Sequence, residues 1–297
     1  MLRRKKGGNI DTMEKIADGF NLIEGPVWDS KLGLIFSDAV DGGVYALSDA
    51  GDVTVVYEHR KGIGGIARHA QNGLVVSGRN VAFKPFGDGE TNILLDRDAT
   101  AGVVGFNDLT TDERGRIYVG SLSSSPLVAG ERAAATGHLY LIDLDGSSRI
   151  VAEDIRLNNG LAFSPDGATL YHSDSIRRTV YQYAVEYDGT LGEKQIFAKV
   201  DKGGPDGLVV SADGRVWVAL AGGGHGVSVF NPDGSASFFL EIPQPMCTSV
   251  CFGGDDLNTL YVVSGSEGMG TDNAGAVYRS RTDVPGLAVP PARISLN

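Results

Sequence analysis

Short apolar runs recur along the chain, and each leads into a polar turn that contains glycine. In the clearest copy, Asn159-Gly160-Leu161-Ala162-Phe163 precedes the turn Ser164-Pro165-Asp166-Gly167. A second copy, Asp206-Gly207-Leu208-Val209-Val210 before Ser211-Ala212-Asp213-Gly214, has the same order of polar residue, glycine, apolar run and turn. Six copies follow one another at a spacing of roughly 45 residues. They begin at Glu24, Gly65, Asn107, Asn159, Asp206 and Thr248.

After each turn comes a second β-rich run, such as Leu170-Tyr171-His172-Ser173, and most copies continue into a third. No segment shows the periodicity of an amphipathic helix. Six repeats of three or four short strands predict an all-β fold, a six-bladed β-propeller of four-stranded antiparallel blades. The alternative is a β-sandwich with coincidental turn spacing, and the regular recurrence of the turns argues against it.

The repeats also indicate how the chain is divided. Because no blade buries both of its faces alone, we expect one propeller domain over residues 16–297. Residues 1–15 contain the basic run Arg3-Arg4-Lys5-Lys6, and we expect them to form a flexible terminal segment.

Charge and hydropathy exclude several classes of partner. The chain has 37 acidic and 26 basic residues, which gives a net charge of −11. Nucleic-acid binding needs a basic surface, so this balance argues against it. No apolar stretch approaches the roughly 18 residues of a membrane helix, and the first residues lack the apolar region of a signal peptide. We therefore expect a cytoplasmic protein with no membrane partner, while its oligomeric state stays open.

The two cysteines, Cys247 and Cys251, lie four residues apart in a strand-like run. This spacing predicts that both side chains occupy one face of the strand, about 13 Å apart. At that distance they can form neither a disulfide nor a shared metal site. We interpret them as buried apolar residues.

The first residue of each repeat carries the candidate chemistry. In a propeller the innermost strands all run in one direction along a central channel, so equivalent positions form a ring around it. Thr248 is interpreted as structural, whereas four positions offer carboxylate or amide oxygens: Glu24, Asn107, Asn159 and Asp206. Oxygen ligands with two negative charges favour a hard cation, Ca²⁺ first, then Mg²⁺ or Mn²⁺, with Zn²⁺ also possible. Few protein ligands leave room for water or substrate, which is typical of a catalytic site.

Each of these residues also has an ordinary interpretation, because Asn-Gly and Pro-Asp-Gly are common turn signals. The register distinguishes the two cases. Asp166 falls between the first and second strands of its repeat and is interpreted as a turn residue. Asp206 precedes the first strand of its own repeat, ahead of a separate Asp213-Gly214 turn, which favours a functional role.

Five ordered motifs carry a family resemblance: Glu24-Gly25-Pro26-x-Trp28, Phe106-Asn107-Asp108, Asn159 to Gly167, Pro205-Asp206-Gly207 and Cys251-Phe252-Gly253-Gly254. From about Glu24 to Arg279 the chain resembles the SMP-30/gluconolactonase/LRE-like family, also called the regucalcin family. The resemblance implies a six-bladed propeller with one divalent metal held by Glu24, Asn159 and Asp206. It also implies that Asn107 faces substrate beside the metal, and that the activity is lactone hydrolysis. The sequence departs from the sugar lactonases at Gly105, where those members carry an Arg that contacts sugar hydroxyls.

The strand order predicts which loops surround the mouth of the channel. Connections between second and third strands should return to the end at which the first strands begin. These loops offer the pocket candidates Asp38, Arg79, Asp174, Arg177, His225 and Glu267, although solvated loop residues are the more ordinary interpretation of each. His225, flanked by glycines, is the candidate for binding substrate or moving protons. The stretch from Gly120 to Gly137 is long enough to form a lid.

These features favour a metal-dependent lactonase in which Asp206 acts as general base toward the attacking water. The same metal site would also suit an arylesterase or phosphotriesterase. A non-catalytic propeller that binds protein partners on its rim is the third possibility. A scaffold has no need of carboxylates and amides around its channel, so we favour the lactone-hydrolysing enzyme.

Overall fold

A computed structural model describes residues 10, 12–124, 136–266 and 272–296. Their strands form six four-stranded sheets, and neighbouring strands within each sheet pair in antiparallel fashion. The arrangement confirms the six-bladed β-propeller predicted from the repeats.

The first blade consists of β2 (Ile23–Asp29), β3 (Gly33–Asp38), β4 (Val44–Leu47) and β5 (Val53–Tyr57). The second consists of β6 (Ile66–His69), β7 (Gly73–Val76), β8 (Val81–Pro85) and β9 (Asn92–Leu95), and a short 3-10 helix follows at Ala99–Ala101. The third consists of β10 (Gly105–Thr111), β11 (Ile117–Leu122), β12 (Gly137–Ile142) and β13 (Ser148–Ile155). The fourth consists of β14 (Asn158–Phe163), β15 (Thr169–Asp174), β16 (Thr179–Ala184) and β17 (Gln195–Lys199). The fifth consists of β18 (Gly204–Val210), β19 (Val216–Ala221), β20 (Gly226–Phe230) and β21 (Ala236–Glu241).

The sixth blade closes the ring with strands from both ends of the described chain. It contains β22 (Cys247–Gly253), β23 (Thr259–Ser264) and β24 (Gly275–Arg281), and its outer strand is β1 (Glu14–Phe20). β1 pairs antiparallel with β24, so hydrogen bonds join the two ends of the propeller. The flexible segment expected before residue 16 falls mostly on residues 1–9 and 11, outside the described residues, and stays a prediction.

The apolar core lies between adjacent blades. One cluster joins Tyr118 and Leu139 of the third blade to Leu161 and Tyr183 of the fourth. Because strand side chains alternate between two faces, each blade contributes one face to each neighbour. The inner strands are held in register around the channel by this packing.

A β-bulge alters the predicted position of the two cysteines. Both are buried and free, as expected, but Cys247 packs in a cluster with Trp217 and Cys251 in another with Phe36. The register of β22 shifts between Cys247 and Ser249, which reverses the alternation along the strand. The prediction that both side chains share one face is therefore wrong.

The C-terminal segment after β24 crosses the end of the propeller at which the inner strands finish. Its amides bond to four separate blades: Gly286 N to Leu257 O, Leu287 N to Val210 O, Ala292 N to Arg68 O, and Arg293 N to Gly115 O. We call this end the base and the opposite end, where the inner strands begin, the mouth. A cavity of about 590 Å³ occupies the channel above the base, lined by all six inner strands and by residues 287–290.

Among the described residues there is no helix long and apolar enough to span a membrane.

Candidate metal centre

The candidate ligands lie at β-bulges near the mouth. In five inner strands the pairing with the second strand slips just where the repeat begins. The irregularities fall between Glu24 and Val27, Phe106 and Leu109, Asn158 and Leu161, Pro205 and Leu208, and Cys247 and Ser249. A bulge releases residues from the regular ladder and re-aims their side chains. The repeated polar residue followed by glycine is therefore the sequence signature of a bulge.

Glycines next to these polar residues allow adjacent inner strands to approach closely. A Cβ on Gly160 would overlap the carbonyl oxygen of Asp206 and the amide nitrogen of Leu208, both on the next inner strand. A Cβ on Gly207 would in turn overlap the side chain of Ser249. Backbone in contact at these positions brings Asn159 close to Asp206, so residues remote in sequence share one end of the channel.

Hydrogen bonds join the amide side chains of the ring. Asn107 Nδ2 donates to Asn158 O at 2.8 Å and to Asn159 Oδ1 at 2.5 Å. Asn159 Nδ2 donates to Ser175 Oγ at 2.8 Å, and Ser175 Oγ donates to Pro205 O at 2.7 Å. The structure thus brings Asn107 and Asn159 together and links both to the residue before Asp206.

The carboxylates of the ring repel one another. Burial, together with the charges of Asp206 and Asp108, raises the pKa of Glu24 well above its ordinary value. Burial and the charge of Asp108 do the same to the pKa of Asp206. The three carboxylates are therefore close together and poorly hydrated. A bound cation would stabilise their charged forms.

Asp108 is a site residue that the sequence analysis did not single out. Asp108 lines the cavity above the base, and burial raises the pKa of its carboxyl to about 7. The signal was present, because Asp108 belongs to the Phe106-Asn107-Asp108 motif. A ring with one residue per repeat does not include Asp108, because only the bulge in β10 places two consecutive residues beside the channel.

Other positions of the ring hold the blades together. Thr248 Oγ1 donates to Ile23 O of the first blade and lies 3.4 Å from Val263 O of its own blade. The amides of Gly64 and Gly65 both donate to Ser77 Oγ. These groups tie the inner strands to their neighbours.

The structure changes the interpretation of the rim residues Asp38 and Asp174. Both are buried, and each carboxylate accepts backbone amides in front of an inner strand: Asn21 N and Leu22 N for Asp38, and Arg156 N and Leu157 N for Asp174. Arg177 pairs with Asp154 at 2.6 Å and with Asp174 at 3.5 Å. The expectation that these three residues are pocket candidates is therefore replaced by a role in fixing turns.

The remaining rim residues are exposed or lie outside the described part of the chain. His225 has a left-handed backbone (φ 55°), and its amide and carbonyl bond to Pro245 O and Ile242 N. Its imidazole is exposed, as is Arg79. Substrate binding by His225 stays a prediction. Glu267 and most of the 120–137 stretch proposed as a lid lie outside the described residues.

The donor set fits a hard cation. Within residues 12–124, 136–266 and 272–296, no group of three or more His, Cys, Asp or Glu side chains is arranged to hold a metal ion. The ring uses a different set, in which the carboxylates of Glu24 and Asp206 are complemented by the amide oxygen of Asn159. Carboxylate and amide oxygens are the ligands that Ca²⁺ and Mg²⁺ accept.

Comparison with known proteins agrees with this geometry. A family model described as SMP-30/gluconolactonase/LRE-like region matches residues 22–266, which include all the candidate ligands. The chain belongs to this family. The resemblance stated from the five motifs is thereby confirmed.

Relatives of this SMP-30/gluconolactonase/LRE-like chain include named lactonases. It is 30% identical over 280 residues to a 6-deoxy-6-sulfogluconolactonase from Pseudomonas putida, with 91% of this chain and 94% of the relative covered. It is 28% identical to regucalcin from Xenopus laevis, with 92% and 94% covered. Among solved structures, a gluconolactonase from Xanthomonas campestris superposes with a TM-score of 0.77 at 26% identity, over 93% of this chain and 90% of that one. Membership of the family supports lactone hydrolysis.

Proposed function

We propose that this protein is a divalent-metal-dependent lactonase. The observation that carries the proposal is the convergence of Glu24, Asn159 and Asp206 at one end of the channel, where burial and neighbouring carboxylates raise the pKa of both Glu24 and Asp206. A cation among them would offset that repulsion. The lactonases among the relatives supply the reaction class.

Glu24, Asn159 and Asp206 would hold the ion, and Ca²⁺ suits their oxygens best, with Mg²⁺, Mn²⁺ and Zn²⁺ as the other candidates. A divalent cation in such a site polarises a carbonyl and stabilises the oxyanion that forms when water attacks it. The chain's own groups do the rest. Asp206 accepts the proton of the attacking water, and Asn107 orients the lactone beside it. The proton then passes to the ring oxygen as the acyl C–O bond breaks, and the ring opens to a hydroxy acid.

Position 105 bears on which lactones fit. Gly105 has no side chain with which to contact sugar hydroxyls, and a Cβ there would lie 2.9 Å from Gly78 O and 3.8 Å from the Cα of Arg79. The rim of the neighbouring blade therefore borders the place where an Arg would stand. We propose a small lactone as substrate, with sugar lactones and aliphatic lactones both included in the test.

The test is a pH-stat assay on sugar lactones, aliphatic lactones, an aryl ester and a phosphotriester. Each is measured before chelation, after chelation, and after Ca²⁺, Mg²⁺, Mn²⁺ or Zn²⁺ is added back. We expect fastest acid release from a lactone, loss on chelation, and recovery with metal. Turnover of the ester or phosphotriester alone would favour the rival hydrolase. Activity unchanged both by chelation and by Glu24→Gln would contradict the metal-dependent reaction.

A further inference from the structure

We propose that Ser175 is a positioning residue that determines which end of the Asn159 amide faces the channel. The inference rests on the proposed function, since it concerns a proposed metal ligand. Ser175 follows β15 in the turn that leads to β16, and it is half-buried. It belongs to neither of the two strands that it connects through its hydroxyl.

The hydroxyl of Ser175 joins a ligand of one blade to the backbone of the next. Its oxygen accepts from Asn159 Nδ2 at 2.8 Å, and its O–H group donates to Pro205 O at 2.7 Å. Pro205 directly precedes Asp206 in the bulge of β18. One side chain thus contacts the Asn159 ligand and the residue adjacent to the Asp206 ligand.

The direction of these bonds is fixed by chemistry. A carbonyl oxygen can only accept, so the single hydroxyl proton of Ser175 must go to Pro205 O. Its oxygen can then offer only lone pairs to Asn159, which must present its NH₂ group. The carbonyl end, Asn159 Oδ1, then points away from Ser175, where it accepts from Asn107 Nδ2 and keeps a second lone pair for the channel. Asn107 agrees with this orientation, because its NH₂ group is held by Asn158 O and also donates to Asn159 Oδ1.

The turn itself does not need the hydroxyl. In the first blade, Asp38 accepts the amides of Asn21 and Leu22 just as Asp174 accepts those of Arg156 and Leu157. The residue after Asp38 is Ala39, whose amide donates to Leu22 O, and Ser175 N donates to Leu157 O in the same way. Alanine therefore serves at the equivalent position of a blade that places no amide side chain there. The role of the Ser175 hydroxyl therefore lies in its contacts with Asn159 and Pro205.

We therefore expect Ser175→Ala to fold normally but to lose the contact that holds the NH₂ end of the Asn159 amide, while Asn107 still contacts its oxygen. An amide held at one end is oriented less firmly, and whenever its NH₂ group replaces its oxygen at the channel it cannot bind a cation. Loss of a group that orients a metal ligand typically lowers affinity by about 10- to 100-fold. We expect a loss in that range when Ca²⁺ or Zn²⁺ is titrated calorimetrically into the metal-free protein.

A second background separates amide orientation from general damage. Asn159→Asp places an oxygen at both ends of the side chain, so its orientation no longer matters. We expect Ser175→Ala to lower cation affinity when residue 159 is Asn and not when it is Asp. Ser175→Thr retains a hydroxyl and should bind the cation as the wild type does.

The matched control is Ser264→Ala. Ser264 is buried, and within the described part of the chain its hydroxyl bonds only to the backbone of Ala276. The substitution should leave cation affinity unchanged, while circular dichroism checks the fold of each variant.

Equal losses in the wild-type background and in the Asn159→Asp background would assign Ser175 a merely structural role and overturn the proposal. So would wild-type affinity in Ser175→Ala, or a Ser175→Thr variant as weak as Ser175→Ala. Wild-type protein that binds neither Ca²⁺ nor Zn²⁺ would instead overturn the proposed function, and this inference with it.

Discussion

Two of the three Pro-Asp-Gly triplets in this chain show how position decides the surroundings of a residue. The carboxylate of Asp166 accepts from Ser164 Oγ at 2.6 Å and from Ala168 N at 3.1 Å, and these bonds lower its pKa. Asp206 lies in the bulge of an inner strand, where burial raises its pKa. The triplet alone cannot distinguish them, and the register within the repeat can.

Asp206→Asn should retain an oxygen ligand but lose the ability to accept a proton. A positioned base contributes about 10²- to 10⁴-fold to the rate, so kcat should fall by that range even with saturating metal. Asp166→Asn is the control, with at most about 1 kcal/mol of lost stability and an unchanged kcat. Steady-state kinetics that were alike for the two variants would place the base elsewhere, first at His225.

The ring should also cost stability when no metal is bound. A carboxyl whose pKa is raised in the folded protein keeps its proton there longer than in the unfolded chain, so rising pH favours unfolding. Glu24→Gln removes one of the repelling charges. We expect the metal-free variant to melt at a higher temperature than the wild type at pH 8. This gap should close as the pH falls below about 4, the range in which the carboxyl becomes protonated in the unfolded chain as well. A thermal melt in chelator checks this, and a variant less stable than the wild type at pH 8 would contradict it.

At the scale of strands, the repeat predicted which residues begin the inner strands but not how they are presented. Regular alternation predicts one residue toward the channel and the next away from it. The bulges break that rule, so Asp108 joins the site beside Asn107 and Cys251 changes face. A bulge depends on hydrogen bonding to a partner strand, which a single sequence does not specify. The roles of buried Asp38 and Asp174 also depend on partners that a single sequence does not specify. Their carboxylates accept amides from the segment before the inner strand.

Gly160→Ala tests the close approach of the inner strands. The added methyl group would overlap backbone atoms of β18, which cannot move without displacing Asp206. We expect a loss of about 1–3 kcal/mol in the free energy of unfolding, together with weaker metal binding. Gly192→Ala is the control, because its nearest neighbour is a side-chain methyl at 3.3 Å and its φ is ordinary. Urea unfolding measures the stability of both variants. Equal losses of unfolding free energy in the two would contradict the close approach of the inner strands at Gly160.

At the scale of the whole molecule, the ring is closed twice. β1 completes the sixth blade through β24, and the C-terminal segment bonds across the base to blades remote in sequence. The sequence predicted the number of blades from its repeats. It could not predict the crossing at the base, since residues 282–296 match no repeat and their partners are set by the folded ring.

Substitution of Ile294 tests how much the C-terminal segment contributes to the free energy of unfolding. Its side chain is 1% exposed and packs with residues of the second and third blades. Ile294→Ala should lower the free energy of unfolding by about 2–4 kcal/mol in a single cooperative transition. Val289→Ala, in the same segment but 38% exposed, should cost less than about 1 kcal/mol. Equal losses for Ile294→Ala and Val289→Ala in urea unfolding would contradict a role of the C-terminal segment in the core.

We propose that Glu24, Asn159 and Asp206 together hold one divalent cation at the mouth of the channel. Anomalous diffraction from crystals grown with Mn²⁺ tests it most directly, because the ion is located independently of any assay. We expect one strong peak at the ring, with an oxygen of each of the three residues within about 2.0–2.6 Å of the ion. A peak elsewhere, or none at the ring under saturating Mn²⁺, would contradict it.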